Sequence, residues 1–221
     1  MNSICFLVTG KLTPEYVAYA QYSYQSIPNK VISTWQSTDP SLLAYMHSFG
    51  FTIVLNEEPN VNHSANFQSV CIVKGLQKIK EMGYTNCIRC RTDFLFERLS
   101  TLPDIVGPLI QTKLLCLSGM SSDEPKLWYY LDVIIAGNCD RMMQFFKPLI
   151  PVDREDNEFA EKFWLESYLG RPMATKEDVK EVFDFFGLAL IDKPILAHWL
   201  EKGWEVFHCY VRPSNSFIWY E

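Results

Sequence analysis

An α/β/α sandwich built around a mostly parallel sheet is predicted by three features of the 221-residue sequence. Short apolar runs recur along the chain, each is followed in the first half by a stretch with helical spacing, and Pro and Gly fall mainly between these segments. A fully apolar strand needs cover on both faces, and strand–helix–strand repeats supply it through right-handed crossovers.

The elements follow in order. Ile4 to Val8 is an apolar strand ending at Thr9-Gly10, and Thr13-Pro14-Glu15 supplies a cap, a first-turn proline and an early acid for a helix through Ser26. Lys30 to Trp35 is the second strand, followed by a turn at Ser37 to Pro40 and a helix over Ser41 to Phe49. Phe51 to Leu55 is the third. A polar loop, Asn60 to Asn66, then leads to a long helix carrying Phe67, Ile72, Gly75, Leu76, Ile79 and Met82 mostly on one face, with Gly83 as its C-terminal stop. Central strands are predicted over Asn86 to Phe96, Leu114 to Leu117 and Val133 to Ala136, helices over Asp140 to Phe146, Asn157 to Leu169 and Lys176 to Phe186, and aromatic strands over Trp204 to Val211 and Ser216 to Tyr220. Such a Rossmann-like sheet places ligands beyond the carboxyl ends of its strands, so polar residues just after Val8, Ile32, Leu55 and Ile88 are where function is sought.

Composition sets the outer limits. With 48% hydrophobic and 14% aromatic residues the chain has material for a continuous core, and 1–221 is read as a single domain. Twenty basic against twenty-six acidic side chains, a net charge of −6, provide no overall footprint for nucleic acid or an anionic membrane. No apolar stretch approaches the ~20 residues of a transmembrane helix. Met1 to Gly10 lacks the basic start and cleavage signal of a secretory leader, and the seven scattered cysteines suit a reducing compartment; a cytoplasmic location is expected. Cys87 and Cys90 form a CxxC, but on a strand their odd spacing sends them to opposite faces, away from a shared metal.

The marked nucleotide and hydrolase motifs are missing: Thr9 to Pro14 supplies no GxGxxG, and there is no P-loop, GxSxG or HExxH. What remains is Arg89, Arg91 and Asp93, which strand alternation would put on one side. Arginine forks there would neutralise phosphate oxygens, and the carboxylate would hold a divalent cation bridging the phosphates of a nucleotide-sugar. An ion pair closing the sheet edge accounts for the same three residues.

Val31-Ile32-Ser33-Thr34-Trp35, Asn60-Val61-Asn62, Arg89-Cys90-Arg91-Thr92-Asp93 and Asp132-Val133-Ile134-Ile135-Ala136-Gly137 together resemble the WavE-type lipopolysaccharide-synthesis proteins, which have the GT-A type of glycosyltransferase fold. The resemblance runs from about Ile4 to Leu169. It implies transfer of a sugar from a nucleotide diphosphate-sugar donor to a glycan or lipopolysaccharide-type acceptor. Arg91-Thr92-Asp93 would stand where GT-A enzymes carry Asp-x-Asp, with the first acid replaced by arginine. Either Asp93 alone is the metal ligand for Mn²⁺ or Mg²⁺, or Arg91 takes over part of the cation's role.

Further candidates complete the expected site. Thr9, Ser33 and Trp35 suit a nucleobase and ribose, although Trp35 suits a core equally. Asp132 is read as orienting donor or acceptor hydroxyls or as a turn residue at a strand start. Glu161, then Glu158, are candidates for the general base of an inverting displacement, and equally for a solvated helix face. His198 and His208 have no accompanying carboxylate spacing and are read as ordinary histidines. The rival functions are a sugar nucleotidyltransferase, which the single Gly10 and Lys11 after the first strand fit poorly, and a non-catalytic nucleotide- or glycan-binding module.

Overall fold

The computed structural model describes residues 4–60, 64–118, 130–147, 160–172, 175–191, 195–199 and 204–209. Strand β1 (Ile4–Thr9), helix α1 (Pro14–Tyr24), β2 (Lys30–Trp35), α2 (Pro40–Ser48), β3 (Thr52–Asn56) and α3 (Ser64–Glu81) alternate as expected. They are followed by β4 (Asn86–Arg91), β5 (Phe94–Glu97), a turn of 3₁₀ helix at Leu99–Thr101, α4 (Leu102–Val106), β6 (Leu114–Ser118) and β7 (Tyr130–Asn138). Helices α5 (Cys139–Phe146), α6 (Ala160–Leu169) and α7 (Lys176–Phe186) lead to strands β8 (Leu188–Ile191), β9 (Ile195–Trp199) and β10 (Trp204–Cys209).

Seven strands form the main sheet in the order β3-β2-β1-β4-β7-β6-β8. Strands β3, β2, β1 and β4 pair in parallel, β7 is antiparallel to both β4 and β6, and β6 pairs in parallel with β8. The result is a mixed α/β body with a mostly parallel central sheet. Alternation along β1 divides its side chains between two cores. Phe6 and Val8 join Val17 and Tyr24 of α1, Ile32, Phe51 and Leu102, whereas Cys5 and Leu7 join Ile72, Leu76 and Ile79 of α3, Met142 and Phe145 of α5, and Trp164 of α6. Cys87 and Cys90 fall into opposite cores, as their spacing requires. Both thiols are buried and free, and burial pushes that of Cys90 up to about 12, far from a redox-active thiolate.

Local signals act where they were read. Thr13 Oγ1 accepts from the Tyr16 amide at 3.2 Å, with Pro14 opening α1. Gly75 lets α3 lie directly on β1: a Cβ there would come within 2.4 Å of Leu7 Cδ1. Because Leu7 is itself fully buried, Gly75→Ala is expected to destabilise by about 1–3 kcal/mol through overpacking, measured by urea unfolding.

One expectation is corrected. Asn86 to Phe96 is not one strand: β4 ends at Arg91, the Thr92 amide makes a last bond to the Thr9 carbonyl at 3.1 Å, and the chain turns so that β5 joins an antiparallel three-stranded sheet with β9 and β10. The helix predicted over Asn157 to Leu169 is present as α6 from Ala160 to Leu169, and 148–159 lie outside the described residues. No helix among the described residues is long and apolar enough to cross a membrane.

Candidate active site

A cavity of about 520 Å³ opens past the carboxyl ends of β1, β2 and β4. This is where an open parallel sheet leaves space, because crossover loops diverge there, and the volume suits a small-molecule ligand. Its floor is made by Thr9 and Gly10 at the end of β1. Gly10 takes φ +135°, and a Cβ there would meet Thr92 Oγ1 at 2.4 Å, so the two strand-end turns interlock only through glycine.

One wall carries Arg89, Arg91 and Asp93, joined behind it by buried Asp132 into a network of four charged side chains. Arg89 is 1% exposed, and its guanidinium donates from Nε to Thr9 Oγ1 at 2.8 Å, from Nη2 to Gln68 Oε1 at 3.1 Å, and from Nη1 to both the carbonyl and Oδ2 of Asp132, the latter at 3.2 Å. Asp132, 2% exposed, also accepts from Arg91 Nη1 through Oδ1 at 3.1 Å. Arg91 turns the rest of its fork on Asp93: Nε reaches Oδ1 at 2.8 Å and Nη2 reaches Oδ2 at 2.6 Å. Burial alone would raise the Asp132 carboxyl, but Arg91 and Arg89 outweigh it and hold the group below the usual carboxylate range. For Arg91, burial acts against the charge and the two aspartates more than restore it, holding its proton more tightly than usual.

The opposite wall is apolar. Trp35 and Phe67 meet edge to face, centroids 5.3 Å apart at 87°, with Tyr16 and Leu42 nearby. Lys11, Asp39 and Glu58 stand at the rim, where the Asp39 carboxyl is held below its ordinary range by the Ser41 hydroxyl and amide that it accepts from, and Ser37 Oγ donates to Glu58.

The predicted residues separate into groups. Thr9, Trp35, Arg89, Arg91 and Asp93 all line the cavity. Arg89 and Arg91 do so by alternation along β4, whereas Asp93 comes beside them through the turn after it, because the strand has already ended. Ser33 is corrected: it lies wholly buried, accepting from Asn56 Nδ2 at 2.9 Å, and offers no hydroxyl to a ligand. Asp132 is also corrected, being neither a turn residue nor open to a sugar hydroxyl; it lies inside β7 as the shared anchor of two guanidiniums. Glu158 lies outside the described residues, as does the side chain of Glu161 on α6. His198 and His208 fall on β9 and β10, where their side chains are outside the description too.

Among the described residues no divalent-cation site is preassembled. Both Asp93 oxygens are taken up by Arg91, and the described residues contain no group of three or more His, Cys, Asp or Glu able to hold a metal.

Lys11, Asp39, Glu58, Phe67 and Gln68 went unpredicted. Glu58 and Asp39 belong to the loops after the third and second strands, the region the sheet order singles out, but nothing in their spacing marks them individually.

No protein-family model and no curated protein matches the chain, so the WavE-type resemblance is not confirmed. Among solved structures the chain is similar to the 4-diphosphocytidyl-2C-methyl-D-erythritol synthase of Anaerococcus prevotii DSM 20548, at 10% identity and a TM-score of 0.52 over 85% of this chain and 86% of that one. It is also similar to a cytidylyltransferase from Leptospira borgpetersenii serovar Hardjo-bovis, at 10% identity and 0.49 over 84% and 74%. At that identity the first likeness establishes a shared fold, which is the mixed α/β, mostly parallel architecture described above.

Proposed function

We propose that the chain is a transferase that moves the sugar of a nucleotide diphosphate-sugar onto a glycan acceptor of lipopolysaccharide type. The observation that carries this reading is the cavity's division into a cationic wall at the end of β4 and an aromatic wall at Trp35 and Phe67. A nucleoside diphosphate has one anionic end and one planar end, and the two walls complement them.

In the proposed reaction an acceptor hydroxyl attacks the anomeric carbon as the bond from that carbon to the diphosphate oxygen breaks. The electron pair leaves on the diphosphate, and the hydroxyl proton passes to a carboxylate, for which Glu161 and then Glu158 remain the candidates from the sequence. Charge grows on the leaving oxygens in the transition state, so a preorganised guanidinium aimed there lowers the barrier selectively. A sugar nucleotidyltransferase is the second reading, supported by Lys11 standing at the cavity rim in the loop after β1.

Incubating the protein with nucleotide-sugars and a glycan acceptor tests the choice by product. Release of nucleoside diphosphate with sugar on the acceptor is expected. Pyrophosphate formed from nucleotide triphosphate and sugar phosphate would replace this reading with the second, and turnover of neither kind would leave a binding module.

A further inference from the structure

We propose that Asp93 occupies on Arg91 the position of a ligand's phosphate, and that an incoming diphosphate displaces it, so that the cavity binds a nucleoside diphosphate without a divalent cation. The inference rests on the transferase reading above and adds the means by which the diphosphate is held.

The Arg91–Asp93 contact is a two-bond fork, at 2.8 and 2.6 Å, and a phosphate group offers a pair of oxygens suited to the same fork. Exchange needs Arg91 to stay in place while its partner leaves. Asp132 provides for that: buried in β7, it holds Arg91 Nη1 from the other side and is itself fastened by Arg89. The two aspartates differ in the respect that decides which of them can go. The Asp132 side chain is 2% exposed and has no route to water, whereas that of Asp93 is 14% exposed, stands on the turn after β4 and lines the cavity, so it can swing into solvent and remain hydrated.

Charge gives the exchange its sign. Two arginines and two aspartates leave the network neutral while Asp93 is engaged, and the departure of one carboxylate uncovers a positive fork facing the cavity, with Lys11 at the rim. Asp93 is then a competitor of the ligand. Were it a cation ligand instead, its removal would weaken binding.

Calorimetric titration with ADP, CDP, GDP, UDP and dTDP separates these. In EDTA, wild type is expected to bind one or more of the five, with Mn²⁺ changing the affinity little, and Asp93→Asn is expected to bind the same diphosphate about tenfold tighter, as loss of a competing charged contact implies. Binding that requires Mn²⁺, or binding left unchanged or weakened by Asp93→Asn in a variant whose thermal unfolding matches wild type, overturns the inference and leaves the transferase reading standing. Binding of no diphosphate with or without Mn²⁺ overturns both. The wild-type comparison of EDTA with Mn²⁺ decides the cation question even if the variant fails to fold.

Discussion

Replacing Asp132 with alanine is expected to remove about 3–5 kcal/mol of folding stability, one of the largest losses from any single change around the cavity. Asp132 is the only carboxylate that touches both guanidiniums among the described contacts, and it lies 2% exposed between β4 and β6. Without it, Arg89 keeps hydrogen bonds to Thr9, Gln68 and the backbone carbonyl of residue 132 but becomes a charge buried at 1% exposure with no carboxylate in contact. At that burial the desolvation penalty of the unpaired charge falls on the folded state.

Urea unfolding of Asp132→Ala beside wild type measures this, and pH gives an independent check. The Asp132 carboxyl titrates lower in the folded state than in the unfolded chain, so the unfolded state binds the proton first. Its contribution is therefore fully present above the ordinary aspartate value of about 4, and is lost as the pH falls from there through the lowered folded value. Wild type should lose stability along that acid limb, and Asp132→Ala should lose less of it.

The second large effect is on activity. Arg91→Met should lower kcat/KM for the proposed sugar transfer by about 10²–10³-fold, the range seen when one preorganised donor to a developing oxyanion is removed. Stability should move far less than in Asp132→Ala. Arg91 is 26% exposed, the carboxylate it abandons at Asp93 can rehydrate, and Asp132 keeps Arg89 as its counter-ion. Methionine also preserves much of the apolar stem that packs near Phe94, over whose ring the guanidinium lies at 5.7 Å. Arg91→Lys should recover only part of the lost activity, since an ammonium replaces the charge but not the fork. Steady-state kinetics on the three proteins, with unfolding curves for each, checks both statements.

The elements that read cleanly from the sequence are those with local causes. The strand at Ile4 to Val8 is apolar throughout because both faces are covered, and α1 starts where Thr13 and Pro14 satisfy its first turn. Elements with remote causes did not read. Strand β5 looked like the continuation of β4, since Phe94-Leu95-Phe96 is as strand-like as what precedes it; its departure is fixed by pairing with β9, about a hundred residues later. The antiparallel setting of β7 likewise depends on its neighbours and not on its composition, which is that of any central strand.

The site divides on the same line. Arg89 and Arg91 share a side by simple alternation, and Thr9 lies at the end of the first strand. The neighbourhood of Asp132 resembles a strand start, and its enclosure shows only in the buried pairs it makes with Arg89 and Arg91. Ser33 sits on the second strand as expected, but its side chain is fully buried against Asn56 and Cys71. Alternation fixes the side of a sheet to which a residue belongs; how far it is covered depends on the helix packed above.

The cavity is expected to hold a nucleoside diphosphate between Arg91 and Trp35. Two-dimensional NMR of ¹⁵N-labelled protein reports on both walls at once, through the Arg91 Nε–H and the Trp35 indole N–H, each assigned by its absence from Arg91→Met and Trp35→Phe. On adding the diphosphate that binds most tightly, both resonances should move together and saturate with a single affinity. Movement confined to signals remote from these residues, with the Arg91 and Trp35 side chains unchanged at saturation, would contradict it.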